Sequence, residues 1–259
     1  MNLDKAVLKF SGLLNVVESH EIEELPIAHI PSIWNIGKII EDGILLPQSG
    51  NKYYEKEELL FFNYGRCPFM PTRTQRLKND PFPPIGLLFN IRKLDLQPKR
   101  LLPFDSGGFD LYERLQPTKV SDYEINDPSL DDINKLMAVL FKSNENYLKF
   151  EHDFKEVAEA CIFLPHLTLL EQHYSFIMNV QTGIGKQGKS FELQYAHKVN
   201  VEPMLVICPD NFQSNPTARA QFEQVFSKYP VRFYEYHLNP EVALERMNET
   251  LKKFINDGK

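Results

Sequence analysis

Residues 183–190, GIGKQGKS, match the phosphate-binding pattern G-x-x-x-x-G-K-[ST] at every position. In a nucleoside-triphosphatase such a loop cradles phosphates on backbone amides, with Lys189 on the terminal phosphates and Ser190 on magnesium. That chemistry needs a helix to follow at once, because the helix N-terminus supplies the amides and a favourable dipole. Here Phe191, Leu193, Tyr195 and Val199 alternate with Glu192, Gln194 and Lys198, which is the period of a strand. The segment therefore reads as a basic hairpin loop, with a P-loop nucleotidase as the alternative. Arg66, Arg73, Arg76 and Lys78 fall within thirteen residues that contain no acid, beside Tyr64 and Phe69. Such a strip suits phosphates and stacked bases, and equally an ordinary charged loop. Glu192, on a strand directly after a loop, could be held against a cleft with little freedom. A carboxylate so placed stabilises developing positive charge or takes a proton, although solvated strand-edge glutamates look the same in sequence. Glu159, in EVAEACIFL, is the second candidate carboxylate, in surroundings that suggest a helix end.

The elements that must position these residues follow from periodicity. Leu3, Val7, Phe10, Leu14 and Val17 recur at helical spacing and predict an opening amphipathic helix within residues 1–25. PIAHI (26–30) predicts a short strand. Pro31 then sits where a helix begins, Ile33, Ile36, Ile39 and Ile40 form its apolar face, and Gly43 closes it. ELLFF (58–62) and IGLLFNI (85–91) predict buried strands separated by a proline-rich loop. Ser129 and Asp132 form a capping box for a helix to about residue 142. SFIMNV (175–180), SFELQY (190–195) and MLVICP (204–209) predict strands, the first two flanking the glycine-rich loop. A helix over Thr217–Lys228, the strand VRFYEY (231–236) and a last helix from Pro240 complete the chain, so residues 213–259 read as a helix-strand-helix extension. This order fits one α+β domain, a mixed sheet with flanking helices, better than a doubly wound sheet.

Composition narrows the function classes. Three cysteines, Cys67, Cys161 and Cys208, are odd in number and widely spaced, which argues against a disulfide framework or a zinc site and fits a reducing, cytoplasmic setting. Asp4, Lys5 and Lys9 interrupt the apolar positions near the start, unlike an export signal, and no apolar run of about 18 residues exists to cross a membrane. A net charge of −6 supplies no global field for nucleic acid, so any such contact must come from a local patch.

Three separated segments together resemble one family. HIPSIWNIGKIIEDGIL (29–45) resembles, without a gap, the strand-and-helix opening of the DarT-type DNA ADP-ribosyltransferases. LLFFNYGRCPFM (59–70) is similar to that family's aromatic strand with its following arginine and proline–methionine pair. KSFELQY (189–195) carries Glu192 where the catalytic glutamate of ADP-ribosyltransferases stands. The resemblance implies an ADP-ribosyltransferase-like fold that uses NAD as substrate, with Glu192 and Arg66 catalytic. His29 would meet the nicotinamide ribose, and Asn35, Arg66 and Tyr64 would support the dinucleotide. It further implies transfer of ADP-ribose to nucleic-acid bases by a toxin or antiviral-defence effector, with an antitoxin as partner; if the basic strip tracks the backbone, the acceptor is single-stranded nucleic acid, because a duplex hides its bases. A protein-modifying ADP-ribosyltransferase, an NAD hydrolase and a non-catalytic binding module of the same fold are the alternatives. Pro31 stands where the family has threonine, and one extra residue separates Phe62 from Arg66. Ser190, two before Glu192, is neither glutamate nor glutamine, so the arrangement that favours arginine acceptors is absent.

Overall fold

The computed structural model describes residues 9–14, 17, 21–31, 33–67, 84–94, 96–111, 119–152, 171–178, 190–214 and 216–258. Apolar runs bounded by turn residues become the strands of one mixed sheet. Strands β1 (Ile27–His29), β4 (Glu58–Tyr64), β5 (Gly86–Phe89), β6 (Arg100–Leu102), β7 (Ile125–Asn126), β8 (Glu192–Tyr195), β10 (Leu205–Pro209) and β11 (Val231–Tyr234) lie in the order β11-β10-β5-β1-β4-β8-β6-β7. The short strand β3 (Gln48–Ser49) pairs with the start of β4. The β10–β11 pair is parallel and every other pair antiparallel. Two further short strands, β2 (Ile44–Leu45) and β9 (Val199–Asn200), pair apart from it. The architecture is mixed α+β, a large sheet with flanking helices.

The period of two divides the core between the sheet's faces. Ile27, Leu87, Phe89 and Val206 belong to one cluster of buried side chains, with Phe222 and Phe226 from the helix Pro216–Phe226. Ala28, Leu88, Leu205 and Ile207 belong to the other, closed by Ala243, Leu244, Met247 and Leu251 of the helix Pro240–Asp257. The C-terminal helix-strand-helix is thus no appendage: β11 is an edge strand of the main sheet and its helix covers one face.

Most sequence expectations hold at the level of elements. The helix Ile33–Asp42 ends at Gly43, whose φ of +69° is the left-handed conformation that a helix-closing glycine supplies without strain. The capping box is formed, with Ser129 Oγ and Asp132 bonding each other's backbone N–H before the helix Leu130–Leu140. Three expectations differ. Of the opening helix only Phe10–Leu14 is described as helix, and residues 21–26 carry none. Ile91 starts a 3₁₀ turn, Ile91–Leu94, rather than ending a strand. Residues 175–178 are not strand but helix, as is all of 171–178. Tyr174, Phe176, Ile177 and Met178 are buried while Ser175 is exposed, a pattern that suits either period, and the backbone here is helical. Strand β8 takes β4 and β6 as its neighbours, and residues 179–189 lie outside the described residues.

Candidate functional site

A cleft of about 550 Å³ opens where the sheet splits. Strand β4 pairs with β1 only at Asn63 and Tyr64, and with β3 only at Glu58 and Leu59. Between them, the Phe61 carbonyl is taken by His29 Nδ1 (2.9 Å). His29, Pro31, Asn35 and Lys38 line one side, Asn51, Asn63, Asp105 and Glu192 another, with Ile39 and Leu46 among the apolar residues. Its size is within the roughly 300–1,000 Å³ of small-molecule sites.

Glu192 is only 2% exposed. The register sets it between Asn63 of β4 and Leu102 of β6. Its carboxylate accepts from the Ser106 backbone N–H (3.0 Å, Oε2), from Ser106 Oγ (2.7 Å, Oε1) and from Gln194 Nε2 (2.7 Å, Oε1). Ser106 Oγ in turn accepts from Asn51 Nδ2 (2.7 Å), which leaves its proton for Glu192. Burial first, then the charge of Asp105, pushes the Glu192 carboxyl up to about 8 against these bonds, which pull it down. Such a value lies in the range where a group exchanges protons at neutral pH.

His29 is half-buried, its ring 5.3 Å from that of Phe62. A carbonyl only accepts, so Nδ1 carries the proton toward Phe61. Burial holds the ring's pKa below the usual value and keeps it neutral, which leaves Nε2 an acceptor. Asn35 is an exposed residue of the helix Ile33–Asp42 on the cleft wall.

Three of the sequence-predicted site residues, His29, Asn35 and Glu192, thus share one cleft. Arg66 and Tyr64 stand apart from it. Gly65, at φ +63°, turns the chain where any Cβ would come within 2.5 Å of Leu25 Cδ1. That turn sends Arg66 to the end of the helix Asn144–Lys149, where Nη2 donates to the Tyr147 and Leu148 carbonyls (2.5 Å each). Its guanidinium lies 5.3 Å from the Tyr147 ring and 5.9 Å from that of Phe150. Tyr64 is core: its ring stacks on Phe191 and its hydroxyl accepts from Leu25 N–H. The P-loop alternative loses its required helix, since Glu192–Tyr195 is strand and the buried Ser190 donates to Asn63 Oδ1 (2.6 Å). Glu159, Lys189, Phe69, Arg73, Arg76, Lys78 and Cys161 lie outside the described residues.

Sequence reasoning missed Ser106, Gln194, Asn63 and Lys38. Gln194, two positions after Glu192 on one strand, could have been found from the period of two. Nothing local in DSGG (105–108) tells that Ser106 meets a side chain 86 positions away. Among the described residues no group of His, Cys, Asp or Glu is arranged to hold a metal, and no helix is long and apolar enough to cross a membrane. No protein-family model, curated protein or solved structure matches the chain significantly.

The raised Glu192 pKa carries a stability consequence. The folded protein holds an extra proton between the usual carboxyl value of 4.5 and about 8. Its stabilising contribution is therefore complete below 4.5 and is lost as pH rises toward 8. His29, depressed from 6.5, acts in the opposite direction but equally in both proteins compared. Glu192→Gln is expected to gain stability relative to wild type on moving from pH 5.5 to 8.5, read by urea unfolding at both values. Parallel pH dependence of the two proteins would contradict the assignment.

Proposed function

We propose that the chain is an NAD-dependent ADP-ribosyltransferase with a DarT-like fold. It transfers ADP-ribose to nucleic-acid bases and acts as a toxin or antiviral-defence effector restrained by a separate antitoxin. The observation that carries this reading is the meeting in one cleft of Glu192 and His29, from sequence segments whose family resemblance was independent. Breaking an N-glycosidic bond builds positive charge on the sugar, which a carboxylate at the cleft stabilises. The electron pair of the broken bond leaves with nicotinamide. A base nitrogen of the acceptor forms the new bond, and Glu192 takes the proton it gives up. The neutral His29 supplies an acceptor for a ribose hydroxyl. Lys38 is the one lysine or arginine lining the cleft among the described residues, and so the cation there for a pyrophosphate.

One observation favours NAD hydrolysis as a second reading: Asp105 lines the same cleft beside Glu192, a second carboxylate that could activate water. Nicotinamide release measured with and without a single-stranded oligonucleotide separates the two. Stimulation by the oligonucleotide supports transfer, and release indifferent to it supports hydrolysis. If the basic strip tracks the acceptor's backbone, the double variant Arg73→Ala/Arg76→Ala should weaken oligonucleotide binding across sequences. Its salt dependence should flatten by roughly two units of slope or less, each lost phosphate contact removing about 0.7 on single strands. Nicotinamide release without acceptor should stay unchanged. Wild-type binding by the double variant would remove the strip from the account.

A further inference from the structure

Gln194 does not line the cleft and is fully buried, yet it stands between Glu192 and a charged cluster. Its Nε2 donates to Glu192 Oε1 at 2.7 Å, and its Oε1 accepts from Arg100 Nη1 at 2.9 Å. A side-chain amide can present either end, but a guanidinium only donates. Arg100 therefore fixes the amide oxygen on its own side and the NH₂ group on Glu192. Arg100 is itself immobilised. Nη2 donates to Glu57 Oε1 (2.6 Å) and Oε2 (2.8 Å), Nε lies 3.9 Å from Glu124 Oε2, and the guanidinium sits 4.7 Å from the Tyr54 ring centroid. Lys99 also pairs with Glu57. Two acids thus balance two bases, and the relay conveys orientation rather than net charge.

On the reading of Glu192 as the base of the reaction, we infer that Gln194, locked by Arg100 and Glu57, is a positioning residue that reserves Glu192 Oε2 for the substrate proton. Oε1 accepts two bonds, from Ser106 Oγ and Gln194, while Oε2 accepts one, from the Ser106 N–H. A carboxylate oxygen has about two lone-pair sites, so the vacant one is on Oε2. The acceptor's N–H proton goes there, its electron pair forms the bond to the sugar, and nicotinamide departs with the old glycosidic pair. Solvent later receives the proton.

The other groups around Glu192 stay in place when Gln194 is changed. Asp105 precedes the 3₁₀ turn Ser106–Leu111 that holds the carboxylate, Tyr54 carries a phenol that feels its charge, and His29 lines the same cleft. The adjacent residues of β4 and β6, Asn63 and Leu102, do not titrate.

Gln194→Met keeps the volume and removes both polar ends. The acid limb of kcat/KM against pH for NAD turnover should move up by about one pH unit, the scale of losing one hydrogen bond to a charged group. KM for NAD should stay within about twofold, and the rate should recover above the new limb. Carbon-13 NMR of the Glu192 carboxyl, which needs no turnover, should show its midpoint rise by the same amount. An unmoved midpoint in the folded variant, or a uniform loss of rate at every pH, would overturn the inference. A shifted midpoint in a protein without NAD turnover would overturn the catalytic reading of Glu192 and leave the Gln194 link intact. Should Gln194→Met fail to fold, Gln194→Leu removes the same amide and leaves the charged cluster intact, and it should raise the midpoint by the same amount. No shift there would equally overturn it.

Discussion

Replacing Glu192 by Gln is expected to lower NAD turnover by roughly 10²–10⁴-fold, the scale of losing a positioned base or electrostatic group. The carboxamide keeps the size of the side chain and one acceptor oxygen for the Ser106 N–H, so the strand and its neighbours β4 and β6 should remain. What it loses is the oxygen that takes a proton and the charge that faces the sugar. Binding of NAD, followed by calorimetry, should change by no more than a few fold, because His29, Asn35 and Lys38 still line the cleft. Kinetics on the purified variant check both halves. Full turnover in Glu192→Gln, with loss in Glu159→Gln, would move the catalytic carboxylate elsewhere.

Replacing Arg66 by Ala is expected to damage stability and to spare chemistry. The guanidinium makes two charge-assisted bonds to the Tyr147 and Leu148 carbonyls at a helix end and packs on two aromatic rings. Burial holds its pKa below the ordinary arginine value, which marks the cost of placing a cation there, and its Nε has no partner among the described residues. Removing it takes the guanidinium from both carbonyls, of which Tyr147's keeps the Phe150 N–H (3.1 Å), and strips the two rings of their packing, a loss of about 3 kcal/mol, or on the order of 10 °C in Tm for a chain of this size. Turnover per folded molecule and KM for NAD should stay within about threefold. A tenfold rise in KM with an unchanged Tm would restore Arg66 to the dinucleotide site, the role its family resemblance implies.

The contrast between Glu192 and Arg66 shows what the sequence carries. Strands such as Glu58–Tyr64 and Leu205–Pro209 were legible because apolar runs stand between turn residues. Helix ends were legible at Gly43 and Ser129 because one residue type solves a local backbone problem there. Two-residue strands such as Gln48–Ser49 leave no periodic trace, although β3 forms part of the cleft. The helical residues 175–178 were misread as strand because a short run of mixed character fits either period. Glu192, His29 and Asn35 were singled out through motif order, and the sheet brings them to one cleft. Arg66 stands apart from that cleft because its direction is set by Gly65 and a helix end 81 positions on, which no local pattern encodes. Ser106 and Arg100 reach Glu192 and Gln194 across similar separations, so the support of the carboxylate becomes visible only once the strands are paired.

Mass spectrometry of a single-stranded oligonucleotide after incubation with the protein and isotopically labelled NAD tests the central claim most directly. The account predicts labelled ADP-ribose covalently attached to a base with wild-type protein, nicotinamide released in equal amount, and neither product above background with Glu192→Gln. An unmodified oligonucleotide beside labelled protein, or NAD left intact by the wild-type chain, would contradict it.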